Sequence, residues 1–207
     1  CRFAPVADQP LSPSEGLKVA ELNEFANLVR ELSYQKRQVT LASGKQSDFY
    51  IDMKNTLLHP RGIWLASFLI YQKIQKMRAQ GLDIKGVGGL TMGADPLSTG
   101  VSMYSQDQKN QLFACYIRKE PKAHGTQQWL EGMKNFSPGD KIIILEDVVT
   151  TGGSTLKSVE RARLGGLDVV GVITAVDREE GGAENIKAAG LPFDAVLTKT
   201  KILEAKT

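Results

Sequence analysis

The chain has 207 residues, 42% hydrophobic and 24% charged, enough for one well-cored domain or one domain with a small appendage. A net charge of +3 and a pI near 8.8 suit small anionic ligands better than a nucleic-acid partner. No apolar run approaches the ~20 residues of a membrane span and no secretory apolar segment opens the chain, so a cytoplasmic protein with no membrane partner is expected.

Residues 1–16 hold three of the eight prolines and no periodicity, and are expected to be a poorly ordered arm. Residues 17–207 are expected to form one domain, with a small N-terminal part at 17–60 and a core at 61–207. Leu22, Phe25, Val29 and Leu32 have helical spacing. Val39-Thr40-Leu41 and Phe49-Tyr50-Ile51 flank Ser43-Gly44 and predict a hairpin. Ile63, Trp64, Phe68, Tyr71 and Ile74 mark a second amphipathic helix, ended by Gly81. His59, before Pro60, reads as structural. Short apolar runs follow at Ile84–Gly88, Leu112–Ile117, Ile142–Leu145, Val169–Val176 and Ala195–Leu197. Helical patterns lie between several of them, at 96–106, 154–164 and 183–189. This alternation predicts an α/β fold with a mostly parallel central sheet flanked by helices. Cys1 and Cys115 make a poor disulfide framework, and Cys115 reads as a core thiol. The polar segment Lys119–Asp140 has little periodicity, and a loop of that length in a compact domain is usually functional.

The stretch Lys141–Thr155, KIIILEDVVTTGGST, carries the chemistry. In open α/β sheets ligands bind beyond the carboxyl ends of strands, where Glu146 and Asp147 fall. Val148 and Val149 then lead into Thr150-Thr151-Gly152-Gly153-Ser154-Thr155 and a helix start. Glycines permit close backbone approach, and the N–H groups of a helix start suit a phosphate. The acids suit hydroxyl donors such as a sugar diol, or a cation such as Mg²⁺. A phosphorylated sugar satisfies both ends. An acid pair that merely ends a strand before a glycine turn is the plain alternative for any shorter fragment. The Gly-Lys-Ser/Thr of a Walker A loop is missing here, and at Gly88 and Gly93 the glycine spacing is followed by Ala94-Asp95, so an ordinary nucleotide triphosphatase is disfavoured.

This stretch resembles the phosphoribosyl diphosphate (PRPP) motif of type I phosphoribosyltransferases. Arg118-Lys119-Glu120-Pro121-Lys122-Ala123-His124-Gly125-Thr126 is similar to the mobile catalytic loop of the orotate phosphoribosyltransferase family. Thr40–Gly44 with Ser47, Tyr50 and Asp52 resembles that family's N-terminal substrate hood. Val176–Gly182 resembles its segment with an orotate-contacting arginine, here Arg178. The likeness spans roughly residues 17–200 in the family's order.

The resemblance implies transfer of ribose 5-phosphate from PRPP to N1 of orotate with Mg²⁺, giving orotidine 5'-monophosphate and pyrophosphate. Lys119, Lys122, His124 and Asp147 would be catalytic, and Arg118, Lys119, Lys122, His124 and Glu146 through Thr155 would bind PRPP. Glu146 and Asp147 would hold the ribose hydroxyls, partly through Mg²⁺-bound water. Thr151 and Arg178 would bind orotate, Arg178 as a guanidinium fork for its carboxylate; a salt bridge to Glu179 or Glu180 is the other role open to it. Gly88–Gly93 would be the pyrophosphate loop, with a non-proline cis peptide expected between Leu90 and Thr91. Asp95, before Pro96, is expected to cap a helix. Lys122–Gln128 is expected to be mobile without ligand, with Trp129 tethering its far end. A homodimer with shared active sites is implied. Two lysines common in the family are replaced by Ala42 and Met92, and Lys45 and Lys54 stand close enough in sequence to substitute. A purine phosphoribosyltransferase is the nearest rival, and Arg178 and the hood residues argue against it. A PRPP-sensing regulator that binds nucleic acid is the rival of another class, against which the loop charges and the modest net charge argue.

Overall fold

The computed structural model describes residues 13–40, 46–47, 49–121 and 129–205. Helix α1 (Pro13–Leu32) opens the described chain, so the last four residues of the expected arm are already helical. Its Phe25 and Val29 are fully buried, as their spacing predicts. Four two-residue strands follow: β1 (Tyr34–Gln35), β2 (Val39–Thr40), β3 (Gln46–Ser47) and β4 (Tyr50–Ile51). The predicted hairpin is corrected here. β2 pairs with β3, whereas β4 pairs antiparallel with β1, through Tyr34↔Ile51 and Gln35↔Tyr50. Residues 41–45, with Ala42, Ser43, Gly44 and Lys45, lie outside the described residues.

Helix α2 (Met53–Leu57) and helix α3 (Pro60–Ala79) come next. Pro60 starts α3 without cost, because the first helical N–H has no partner in any case. The core alternates strand and helix: β5 (Ile84–Leu90), α4 (Asp95–Asp107), β6 (Phe113–Ile117), β7 (Leu130–Glu131), a 3-10 turn (Met133–Asn135), β8 (Lys141–Val149), α5 (Gly153–Leu164), β9 (Asp168–Asp177), α6 (Gly182–Ala188), β10 (Phe193–Thr198) and α7 (Lys199–Glu204). The central sheet has the order β10-β9-β8-β5-β6-β7, and only β7 runs antiparallel.

Strand residues alternate between two cores, as a sheet covered on both faces requires. Ile143 and Leu145 join α1, α3 and α4 on one face, and Ile142 and Ile144 join α5 and α6 on the other. Burying each such side chain fully contributes about 1.5–3 kcal/mol. Cys115 is buried in the second core, and its thiol is pushed up to about 12 by burial, which fits an inert core thiol. Among the described residues no helix is long and apolar enough to cross a membrane.

Candidate active site

Strand order reverses between β5 and β8, because β6 and β7 continue to one side and β9 and β10 to the other. The carboxyl ends of β5 and β8 therefore flank the crevice where open α/β sheets take ligands. Register shows how it opens. Pairing of β5 with β8 stops at Gly88↔Ile144, but β8 stays paired with β9 as far as Val149↔Asp177. Past Leu145 the β5 side of β8 is thus exposed to the crevice. Glu146 and Asp147 lie inside this strand instead of just after it. The ten-residue β9 holds them there through Glu146↔Thr174, a partner length the apolar run Ile142–Leu145 could not reveal.

Glu146 is only 5% exposed. The Thr155 hydroxyl donates to its Oε2 at 2.9 Å, with a longer contact from Ser154 at 3.5 Å. The Glu146 carbonyl accepts from the Thr174 hydroxyl at 3.2 Å. Burial, reinforced by the neighbouring Asp147 charge, pushes the Glu146 carboxyl up to about 8, against the pull of the two hydroxyl donors and of Lys119. Burial also raises Asp147, opposed by the Val148 N–H and by the charge of Lys54. The Asp147 carboxylate faces Gly93, where an added Cβ would sit 2.6 Å from Oδ1. Only a glycine lets the loop after β5 close against that acid.

Beyond Val149, Gly152 takes φ +81 and caps α5 without any side-chain bond. Thr151, Gly153 and Ser154 are exposed at this helix start, and Thr150 is half-buried. Thr155 is fully buried and its hydroxyl is spent on Glu146, so it supports the acid rather than facing outward with its neighbours. The Asn185 amide donates to the Thr151 carbonyl at 3.0 Å, tying α6 to this loop.

Arg178 follows β9 and is 4% exposed. Its Nε and Nη2 donate to Glu180 Oε1 at 3.0 and 2.9 Å, so the ion pair open to it from the sequence is made, with Glu180 and not Glu179. The guanidinium also lies 4.4 Å from the centroid of the hood residue Phe49, and Lys199 Nζ lies 5.3 Å from the same centroid. Glu179, at φ +59, is used elsewhere: its Oε2 accepts from the Thr200 N–H and hydroxyl at 2.9 and 2.7 Å.

Gly88–Gly93 leave β5 toward the acid pair. The cis peptide in this loop is Thr91–Met92, one bond later than expected. The Thr91 N–H still donates to Ile117 O at 2.8 Å, so the Leu90–Thr91 peptide remains part of the β5–β6 ladder. Asp95 makes no cap hydrogen bond; it is the first residue of α4, its Oδ1 is buried without a partner, and burial raises its carboxyl.

The polar segment after β6 is clipped at both feet. Tyr116↔Glu131 and Ile117↔Leu130 pair β6 with β7, a strand hidden in what the sequence presents as a loop. The Arg118 N–H donates to Trp129 O at 2.8 Å, Arg161 lies over the Trp129 ring at 4.2 Å, and the Arg118 guanidinium pairs with Glu131 at 3.0 Å. Trp129 therefore tethers the far foot. Lys119 acts electrostatically on Glu146 of its own chain. Lys122, His124 and Gly125 lie outside the described residues, as does the expectation of mobility at 122–128. The sequence places Asp52 in the hood and offers Lys54 as a stand-in for a missing lysine; the structure adds that both charges act on Asp147.

A crevice at the strand-order reversal, with two acids on one wall and a glycine-rich helix start below them, defines a type I phosphoribosyltransferase fold and site. No family model matches the chain. An orotate phosphoribosyltransferase of Sorangium cellulosum is 44% identical over 180 residues, covering 87% of this chain and 92% of that protein. Crystal structures of Mycobacterium tuberculosis orotate phosphoribosyltransferase, one with Fe(III) dicitrate and one with PRPP, are 36% and 34% identical with TM-scores of 0.71 and 0.68, each covering 88% of this chain and 98% of that chain. The chain belongs to the orotate phosphoribosyltransferase family.

Proposed function

We propose that this chain transfers ribose 5-phosphate from PRPP to N1 of orotate, releasing pyrophosphate and forming orotidine 5'-monophosphate for pyrimidine nucleotide synthesis. The observation that carries this is the Glu146-Asp147 wall, closed on one side by Gly93 and leading to the α5 start, in a chain 44% identical to a named orotate phosphoribosyltransferase.

The bond broken joins the ribose anomeric carbon to pyrophosphate, and the bond formed joins that carbon to N1. No protein nucleophile is required. Negative charge develops on the departing pyrophosphate, positive charge on the ribose, and the site must complement both. Glu146 and Asp147 accept the ribose hydroxyls and, when ionised, set negative charge against the cationic ring. Thr150, Thr151, Gly152, Gly153 and Ser154 receive the 5-phosphate at the helix start. Gly88–Gly93 receive pyrophosphate. Arg178 receives the orotate carboxylate, with Thr151 beside the base. Lys119, Lys122 and His124 approach pyrophosphate and exclude water from the ribosyl cation.

Two adjacent carboxylates fit Mg²⁺, which keeps several waters and shares substrate oxygens. Glu146 and Asp147 would hold it through water, and when bound it would neutralise diphosphate charge. The working unit is a cytoplasmic homodimer in which the Arg118–Thr126 loop enters the partner's site.

Orotate absorbance in the ultraviolet should fall when protein, PRPP and Mg²⁺ are mixed. Turnover only with a purine base would establish the rival transferase. PRPP binding without turnover of any base would establish a sensor.

A further inference from the structure

We propose that the Lys54 ammonium binds the pyrophosphate end of PRPP, supplying the cation that the 88–93 loop lacks. This rests on the PRPP-dependent reading above. The loop residues Gly88, Gly89, Leu90, Thr91, Met92 and Gly93 carry no positive charge, and Met92 is 72% exposed. Of the other described cations near the crevice, Arg118 pairs with Glu131 at 3.0 Å, Arg178 pairs with Glu180 at 2.9 Å, and the charge of Lys119 acts on Glu146.

Lys54 is held in place from below. Met53 and Leu57 of α2 are buried in the core. The Thr56 hydroxyl meets the Ser33 hydroxyl at 2.7 Å, and the Asp52 N–H donates to Ser33 O at 3.0 Å. These contacts fix α2 to the end of α1. Asp52 then caps α2, its Oδ1 accepting the Lys54 N–H at 3.1 Å, and the same oxygen holds Lys54 Nζ at 2.8 Å. That pair is half open to solvent, and such pairs are readily exchanged for a more highly charged partner.

The direction it faces is given by Asp147. The charges of Lys54 and Asp147 act on each other, and Asp147 is the acid against which Gly93 closes. Asp147 thus links the two: its carboxylate meets Gly93 at the end of the 88–93 loop, and it lies in the field of the Lys54 ammonium. Substrate diphosphate entering there meets an ammonium whose charge acts on Asp147. A cation at this point stabilises the leaving group more as charge develops on it.

The test uses Lys54→Ala, Lys54→Arg and the double variant Lys54→Ala/Met92→Lys in the full chain. PRPP affinity with Mg²⁺ is read by calorimetry, pyrophosphate by product inhibition, orotate by its KM, and folding by thermal midpoint. Lys54→Ala should weaken PRPP and pyrophosphate each by about tenfold or more. The orotate KM should stay within about twofold and the midpoint within about 2–4 °C. Lys54→Arg should restore most of the affinity, and Met92→Lys part of it. Unchanged PRPP and pyrophosphate affinity, equal weakening of orotate, or weakening of PRPP without pyrophosphate would each overturn the assignment. Because calorimetry needs no base, a wild-type protein inactive on orotate would overturn the function proposed above while leaving Lys54 tested.

Discussion

Thr155 is the hydrogen-bond donor that holds Glu146: its fully buried hydroxyl reaches back across the turn between β8 and α5 to the carboxylate at 2.9 Å. A helix residue thereby fixes a strand acid across the turn that holds the exposed Thr151, Gly153 and Ser154. Thr155→Val keeps the volume and removes the donor. The loss should be about 0.5–1.5 kcal/mol near pH ~6, where the acid is neutral, and about 1.5–3 kcal/mol near pH ~9, where it is charged. Urea unfolding at the two pH values measures the difference; equal losses would mean that Glu146 does not change charge between them.

The raised Glu146 carboxyl has a signed consequence for stability. Folding moves it from an ordinary value of 4.5 to about 8, so between those values the folded chain binds a proton that the unfolded chain has lost. Stability should therefore fall as pH rises from 4.5 to about 8, then level off. Glu146→Gln removes this dependence, so its thermal midpoint should gain on wild type as pH rises. Parallel curves for the two proteins would contradict the burial argument. The same variant should bind PRPP less well than wild type above about pH 8, where Glu146 is ionised and a neutral amide cannot match it toward ribose hydroxyls.

Arg178→Ala should weaken orotate far more than PRPP, by about 2–5 kcal/mol if the guanidinium meets the carboxylate. Steady-state KM values for both substrates decide it. Since Arg178 is buried against Phe49 and paired with Glu180, some loss of stability is also expected, and the thermal midpoint separates this from binding. Equal effects on both substrates would sink the role.

Subunit mixing tests whether sites are shared. Lys122→Ala and Asp147→Asn should each be nearly inactive alone. After exchange, a loop acting on the partner's site makes one site of each mixed dimer wild-type in composition, and roughly a quarter of all sites regain activity. A loop acting within its own chain restores nothing.

The central strands were legible because both faces are covered, which leaves unbroken apolar runs such as Ile142–Leu145. The acid pair and the turn after it were legible because few other sequences combine those groups. The hood was not. Tyr34–Gln35 and Tyr50–Ile51 are too short for any period to emerge, and their pairing depends on where α1 delivers the chain. Leu130–Glu131 is equally short, and only the neighbouring β6 makes it a strand. Lys54 shows the limit most clearly. The sequence offers it and Lys45 alike as stand-ins for the missing lysines, and which charge it acts on is given only by the structure.

The pairing of β6 with β7 separates two things that usually trade against each other. The chain leaves the sheet at Ile117 and re-enters it at Leu130, and these residues are ladder partners. The ends of the excursion are thus already joined, whatever lies between them. Lengthening such an excursion costs only about 0.6 kcal/mol per doubling in closure entropy. Insertions and deletions between Glu120 and Gln128 should therefore leave the melting temperature almost untouched, and evolution can retune the reach and charge of this arm without renegotiating the fold that carries it.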